Sequence, residues 1–242
     1  MKKVLYYIFS IILIIYIINQ YIHLEDYFLF KRSHPNGFPL IDIQDDFLSH
    51  EECKELKDYI LNHKLLNNDW NKNDFIIRFN TSEDSKKMFL EKKLEKIYKI
   101  FERIKQPGTN AYIVNTAILS NSINLSKYNI IEGHYDDTIE IHDWTKRSIL
   151  PVCTTVLYIN VPENSEGGDL YLSPFGLKGG LKTKMRYTPK QCRKLTFRGD
   201  TNHLVKPFFC KNNTEKRISL VFEQYKIPDK YMYSTDFNIK LR

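Results

Sequence analysis

Two helical segments followed by a long run of strand-forming segments predict an α+β domain, its helices backing one sheet of an antiparallel sandwich or barrel. Three observations carry this reading. Apolar residues recur at helical spacing as far as Ile104, short segments rich in Ile, Val, Thr, Tyr and Phe take over from Asn110, and 242 residues supply one good core rather than two. Hydrophobic residues at 42%, aromatic residues at 14% and only nine Gly and nine Pro exclude a low-complexity or collagen-like chain.

The chain opens on a segment unlike the rest. From Val4 to Ile22 there is no ionised side chain, and a helix of that length, at about 1.5 Å per residue, nearly spans a ~30 Å hydrocarbon layer. We read residues 1–3 as a short cytosolic tail and 4–22 as a transmembrane signal-anchor. A cleaved signal peptide has a shorter apolar centre followed by small residues, whereas this segment runs through Ile and Tyr into Asn19 and Gln20. Lys2 and Lys3 on one flank and Glu25 and Asp26 on the other put the N-terminus in the cytosol, although Lys31 and Arg32 add positive charge to the far side. The expectation is a single-pass membrane protein whose folded part faces a lumenal, endoplasmic-reticulum-like or external compartment.

Residues 23–40, with His34-Pro35-Asn36-Gly37 and Pro39, form a stalk. Residues 41–109 form a helical support region. There Ser49-His50-Glu51-Glu52 has the form of a capping box, with Cys53, Leu56 and Ile60 on one helical face, and Leu90, Leu94, Ile97, Phe101 and Ile104 mark a second helix that stops before Pro107-Gly108. Strands are expected near 111–119, 123–130, 152–160, 168–173, 193–198, 202–207 and 216–226. These make a core over 110–228, with 229–242 as a tail.

The four cysteines form no C-x-x-C pair, which excludes a zinc ribbon. Cys192 and Cys210 flank two expected strands and are placed to bridge, with independent buried thiols as the alternative. Sequons begin at Asn80, Asn124 and Asn212. The net charge of +7 admits nucleic acid, an acidic membrane surface or an acidic substrate. Its densest run, Lys178, Lys182, Lys184, Arg186 and Lys190, falls in the Gly-containing loop 174–190.

Chemistry concentrates at Tyr128-Asn129-Ile130-Ile131-Glu132-Gly133-His134-Tyr135-Asp136. In extended chain, residues two apart project to the same side, so His134 and Asp136 can meet one ion. His203, 67 residues beyond Asp136, follows the turn Arg198-Gly199-Asp200. Two imidazoles and a carboxylate on one face of an octahedral ion suit iron(II) enzymes that activate dioxygen, although a zinc hydrolase can share the ligands. Arg217 offers a planar fork for a carboxylate, and alternation sets Arg217, Ser219 and Val221 opposite Ile218, Leu220 and Phe222. Asp137, His142 and Asp143 are rival ligands by type.

Over roughly 112–226 the chain resembles the 2-oxoglutarate and iron(II)-dependent dioxygenases, within them the prolyl 4-hydroxylase-like group. The resemblance lies in His134-x-Asp136, Leu157-Tyr158-Ile159-Asn160 leading to Gly167-Gly168-Asp169-Leu170, Leu195-Thr196-Phe197-Arg198-Gly199-Asp200, His203-Leu204-Val205-Lys206-Pro207 and Arg217-Ile218-Ser219. It implies a double-stranded β-helix (jelly-roll) core. It also implies His134, Asp136 and His203 as iron ligands, Arg217 on the far carboxylate of 2-oxoglutarate with Tyr128 and Ser219 beside it, and Gly167-Gly168 as a hairpin turn. Dioxygen is the oxidant and ascorbate the accompanying reductant. The implied reaction is oxidative decarboxylation of 2-oxoglutarate to succinate with hydroxylation of a protein or peptide side chain, prolyl or lysyl. Collagen-type prolyl hydroxylases carry Lys at the Arg217 position, and lysyl hydroxylases and many other branches of the family carry Arg. Nucleic-acid demethylases of the family tend to carry a further Arg where this chain has Glu223. The reading from another class is a non-catalytic jelly-roll binding module.

Overall fold

The structure, a computed structural model, describes residues 6–18, 41–67, 75–120, 131–141, 147–174, 185–212, 214–232 and 239–241. The chain divides into two units, Met1–Phe38 and Pro39–Arg242. In the first, residues 6–18 form a helix, α1, on which every large apolar side chain from Tyr6 to Ile18 is exposed. Among the described residues no helix is long and apolar enough to cross a membrane; the rest of the expected 4–22 segment lies outside them.

The second unit contains β1 (Ile41–Gln44), α2 (His50–Asn62), β2 (Phe75–Asn80), α3 (Glu83–Glu91), α4 (Glu95–Ile104) and β3 (Ala111–Ser120). It continues through β4 (Ile131–His134), β5 (Ile139–Ile141), β6 (Arg147–Ile149), β7 (Cys153–Asn160), β8 (Ser165–Gly167), β9 (Leu170–Pro174) and β10 (Met185–Tyr187). Last come β11 (Lys194–Arg198), β12 (Thr201–Val205), β13 (Phe208–Cys210), β14 (Lys216–Tyr225), α5 (Asp229–Met232) and β15 (Ile239–Leu241). A seven-stranded sheet runs β1-β11-β7-β14-β3-β2-β15, and a four-stranded sheet runs β10-β9-β12-β4. The chain passes between them: β3, β7, β11 and β14 lie in the large sheet, and β4, then β9 and β10, then β12 lie in the small one. This path, with antiparallel pairing between neighbours, is the winding of a jelly roll.

Strand alternation divides the core. Ile77 and Phe79 of β2, Tyr112, Val114 and Ile118 of β3, Leu157 and Ile159 of β7, and Ile218, Leu220 and Phe222 of β14 pack on one face against Leu56 and Ile60 of α2, Phe89 of α3, and Ile97 and Phe101 of α4. The other face contributes Val156, Tyr158, Leu195 and Phe197 to a second cluster with Leu170, Leu172 and Val205 of the small sheet. Helices α2, α3 and α4 are thus confined to one side, and the space between the sheets is left for a site.

Ser49 caps α2 as expected: its hydroxyl accepts from the Glu52 amide (3.1 Å) while Glu52 accepts from the Ser49 amide (2.8 Å). The second expected helix is corrected to two. Lys93 takes a left-handed conformation (φ +57°) that no helix interior tolerates, so α3 ends at Glu91 and α4 begins at Glu95. Leu90 is accordingly exposed, while Leu94, Ile97, Phe101 and Ile104 are buried. The support region also supplies β1 and β2, and the tail returns as β15 on the edge of β2. The strand expected at 123–130 and most of the basic loop, 175–184, lie outside the described residues; Arg186, on β10, is bonded to Asp169 (2.9 Å).

The cysteine pairing is also corrected. Cys192 joins Cys53 in a disulfide, tying α2 to the entry of β11, while Cys153 and Cys210 are buried outside that bond. The Cys53 partner lies 139 residues away in sequence, so no local spacing announces it.

Phe101, 1% exposed, makes edge contacts with Phe79 (4.8 Å) and Tyr112 (4.6 Å). Phe101→Ala is expected to lower stability by about 3–5 kcal/mol, read as a fall in the denaturant midpoint.

Candidate metal centre

The turn Arg198-Gly199-Asp200 launches β12. Arg198 grips Asp200 through two hydrogen bonds (2.6 and 2.8 Å), and Gly199 passes so close to the Pro151 carbonyl that a Cβ would sit 1.8 Å from its oxygen. β12 then pairs with β4 so that His203 stands directly opposite His134, with ring centroids 4.3 Å apart. Asp136 follows two residues beyond the end of β4, where its Oδ2 accepts a 2.5 Å hydrogen bond from the buried Thr154 hydroxyl of β7. Its Oδ1 lies 3.6 Å from His134 Nε2 and 3.5 Å from His203 Nε2. Donor atoms of the three residues all lie within 4.8 Å of one another, and this is the set that the sequence placed together.

The protonation states fit a cation. Burial alone raises the Asp136 carboxyl, but His203, His134 and the Thr154 hydroxyl together outweigh it and hold the group below its ordinary value. Burial pushes the His203 imidazole down, towards the neutral form that ligates metals. His203 Nδ1 lies 3.3 Å from the Thr201 carbonyl, which leaves Nε2 facing Asp136. An ionised carboxylate and an available imidazole, drawn together in one pocket, are the donor set of a divalent ion such as iron(II). Asp137 is exposed and outside the cluster, and His142 and Asp143 lie outside the described residues.

A cavity of about 330 Å³ opens beside the triad, lined among others by Tyr158, Arg217, Ser219 and Glu223. Arg217 is only 3% exposed. Its Nη1 donates to the Gly168 carbonyl (2.8 Å), its Nε has no partner, and no carboxylate among the described residues lies within ion-pair distance. Ser219 faces the same cavity, as alternation predicted. Tyr128 lies outside the described residues.

Two residues here exceed their sequence reading. Tyr158 is fully buried, with the Arg217 guanidinium 5.2 Å from its ring centre and its hydroxyl unpartnered. Its position in Leu157-Tyr158-Ile159-Asn160 read as strand core, and only its inward face in β7 marks it out. Gly168 (φ +69°) is more than a hairpin residue, because a Cβ there would lie 2.7 Å from Arg217 Nη1. At the opposite end, burial, with Asp136 as a further cause, pushes the Glu223 carboxyl up to about 8.

No family model matches the chain, and no curated protein matches it. Among solved structures it is similar to a prolyl-4-hydroxylase from Pseudomonas putida, with 16% identity and a TM-score of 0.46 over 78% of this chain and 94% of that one. It is similar too to the viral collagen prolyl hydroxylase of Paramecium Bursaria Chlorella virus-1 in its 2-oxoglutarate complex (17% identity, TM-score 0.42, 78% and 97% covered). A third is a Trichoplax adhaerens prolyl hydroxylase in complex with a hypoxia inducible factor oxygen degradation domain peptide fragment (16% identity, TM-score 0.45, 86% and 91% covered). His134, Asp136 and His203 form the metal set that the resemblance of the sequence motifs implies. At such low identities the role of each residue rests on the geometry above.

Because Thr154 orients Asp136, Thr154→Val is expected to weaken binding of manganese(II) or iron(II) by about 10–100-fold, measured by titration calorimetry.

Proposed function

We propose that this chain is a 2-oxoglutarate- and iron(II)-dependent dioxygenase that hydroxylates a side chain of a protein or peptide. The observation that carries the reading is Arg217, a buried guanidinium without a carboxylate partner among the described residues, in the same cavity as the triad. A buried cation left unpaired is strongly unfavourable, so the site calls for an anion from outside the chain. A keto-diacid answers both ends, since its keto acid suits a metal and its far carboxylate suits the fork of Arg217.

His134, Asp136 and His203 would hold iron(II). With dioxygen and 2-oxoglutarate it supplies oxidation of an unactivated carbon–hydrogen bond, coupled to release of succinate and carbon dioxide. The protein's own share is positioning. Thr154 fixes the Asp136 carboxylate, Thr201 sets the His203 ring, and Arg217, Ser219 and Tyr158 give the cosubstrate its orientation. The walls of Phe197, Val156 and Leu170 keep bulk water from that end. Ascorbate is the proposed reductant. The buried acid Glu223 disfavours a polyanionic nucleic-acid substrate.

We further place residues 4–22 in a membrane, with the domain on the lumenal or external side. The uniformly exposed apolar surface of α1 and the Cys53–Cys192 disulfide, a bond of oxidising compartments, support this.

His134→Ala, Asp136→Ala and His203→Ala are each expected to abolish iron-dependent succinate release from 2-oxoglutarate. Arg217→Ala is expected to raise the 2-oxoglutarate concentration for half-saturation by about 10–100-fold, and Gly168→Ala by roughly tenfold through the methyl forced on Nη1. Unchanged turnover in all five variants would sink the reading.

A further inference from the structure

The cavity has a second polar end that neither a metal nor 2-oxoglutarate uses. β14 carries Arg217, Ser219, Val221 and Glu223 on its inner face, so Glu223 stands six residues from Arg217, roughly 20 Å along an extended strand. The triad lies close to the Glu223 end. Thr154, which holds Asp136, is the cross-strand partner of Glu223. A five-carbon diacid stretched from the triad towards Arg217 therefore points away from Glu223.

What surrounds Glu223 is short of donors. It is 6% exposed and accepts from the Thr138 hydroxyl (3.0 Å) and from the Tyr225 hydroxyl. Once ionised beside a cation, the carboxylate has about four acceptor sites, of which these two donors fill half. Among the described residues no Lys, Arg or His lies within ion-pair distance of it. Arg78, itself buried and with its Nη1 unpartnered, donates from Nη2 to the Thr138 carbonyl (3.2 Å) and makes no hydrogen bond to Glu223.

Asn115, on the neighbouring β3, adds to the deficit. It pairs with Val221 while Ile113 pairs with Glu223, which makes Asn115 and Glu223 diagonal neighbours about 7–8 Å apart. The Asn115 Oδ1 is buried and has no donor. Both residues line the cavity that holds the triad.

We propose that Glu223 and Asn115 form the substrate-recognition subsite and that it takes a cationic side chain, lysyl or arginyl, of a protein or peptide. This rests on the oxygenase reading above. An ammonium or guanidinium brings three to five donors, enough to complete both acceptors. A prolyl ring within a peptide brings none and leaves a buried carboxyl and a buried amide oxygen unpaired, the situation in which polar sites discriminate most strongly. Glu223 is thus a specificity-determining residue beside the reacting position.

The test uses the full chain in detergent with iron(II), 2-oxoglutarate and four degenerate peptide libraries that differ only in a fixed central Lys, Arg, Pro or norleucine. Gain of one oxygen on the central residue is read by mass spectrometry, and succinate is measured in parallel. The expected result is oxidation of the Lys or Arg library at least roughly tenfold faster than the Pro and norleucine libraries. In Glu223→Gln, which keeps the shape, the KM for the favoured library should rise by about tenfold or more while the KM for 2-oxoglutarate does not follow it. Equal or faster oxidation of the Pro or norleucine library overturns the proposal and leaves the oxygenase reading standing, as does succinate release with no oxygen gained by any library. Absence of succinate in every arm overturns both. The comparison of libraries needs only the unaltered protein, so poor folding of the variant does not blunt it.

Discussion

His134 and His203 come from segments 69 residues apart, and the antiparallel pairing of β4 with β12, which shifts register between His203 and Val205, sets them face to face. The rest of the centre depends on that pairing. A shift of one residue in either strand would send one imidazole to the opposite face of the small sheet, because side chains alternate with a period of two. The register is held from both sides. β12 is also paired along its whole length with β9, and the Arg198–Asp200 clasp and the close packing of Gly199 fix where it begins. Asp136 then needs only a short extended step beyond β4 to reach both rings, and Thr154 on the facing large sheet holds it there. The centre thus bridges the two sheets of the sandwich.

The second constraint is electrostatic. β14 lies between β3 and β7 in the middle of the large sheet, where its outer face packs under the helices. Any charged residue on its inner face is therefore buried, and this chain puts two there, Arg217 and Glu223. Buried charges without partners are unfavourable in a folded protein unless something else completes them. Glycine at position 168 lets the guanidinium lie against the backbone, and Thr138 and Tyr225 partly satisfy the carboxyl. Neither arrangement supplies a counter-charge, and that incompleteness links the fold to ligand binding. The guanidinium and the carboxyl lie at opposite ends of one cavity with the triad between the sheets, which divides the space into an anion-seeking end and a donor-seeking end.

The helices keep this architecture rigid from behind. Phe79, Phe89, Phe101 and Tyr112 form a connected aromatic cluster under the large sheet, and the Cys53–Cys192 bond ties α2 to the start of β11. β11 carries Phe197, whose ring lies 4.9 Å from that of His203, so the packing behind the sheet reaches the triad through one strand.

Much of this was legible in the residues themselves. Most strands after Asn110, the capping box at Ser49, the inner face of Arg217 and Ser219, and the His134–Asp136 pair follow from local chemistry and from a period of two or 3.6, which a chain displays without being folded, while the family resemblance pointed to His203. Contacts between distant segments are different, since no periodicity encodes them. The break at Lys93 reflects a left-handed backbone, which a lysine does not advertise. Cys192 has Cys53 as its partner and not Cys210 because α2 lies against the large sheet. Gly168 and Tyr158 owe their place beside Arg217 to the way β7, the turn before β9, and β14 meet in space. The sequence by itself determined which groups of the chain bear the chemistry. Tertiary structure alone decided which of them share a cavity and remain without partners, because burial and satisfaction of a polar group are properties of all the segments around it together.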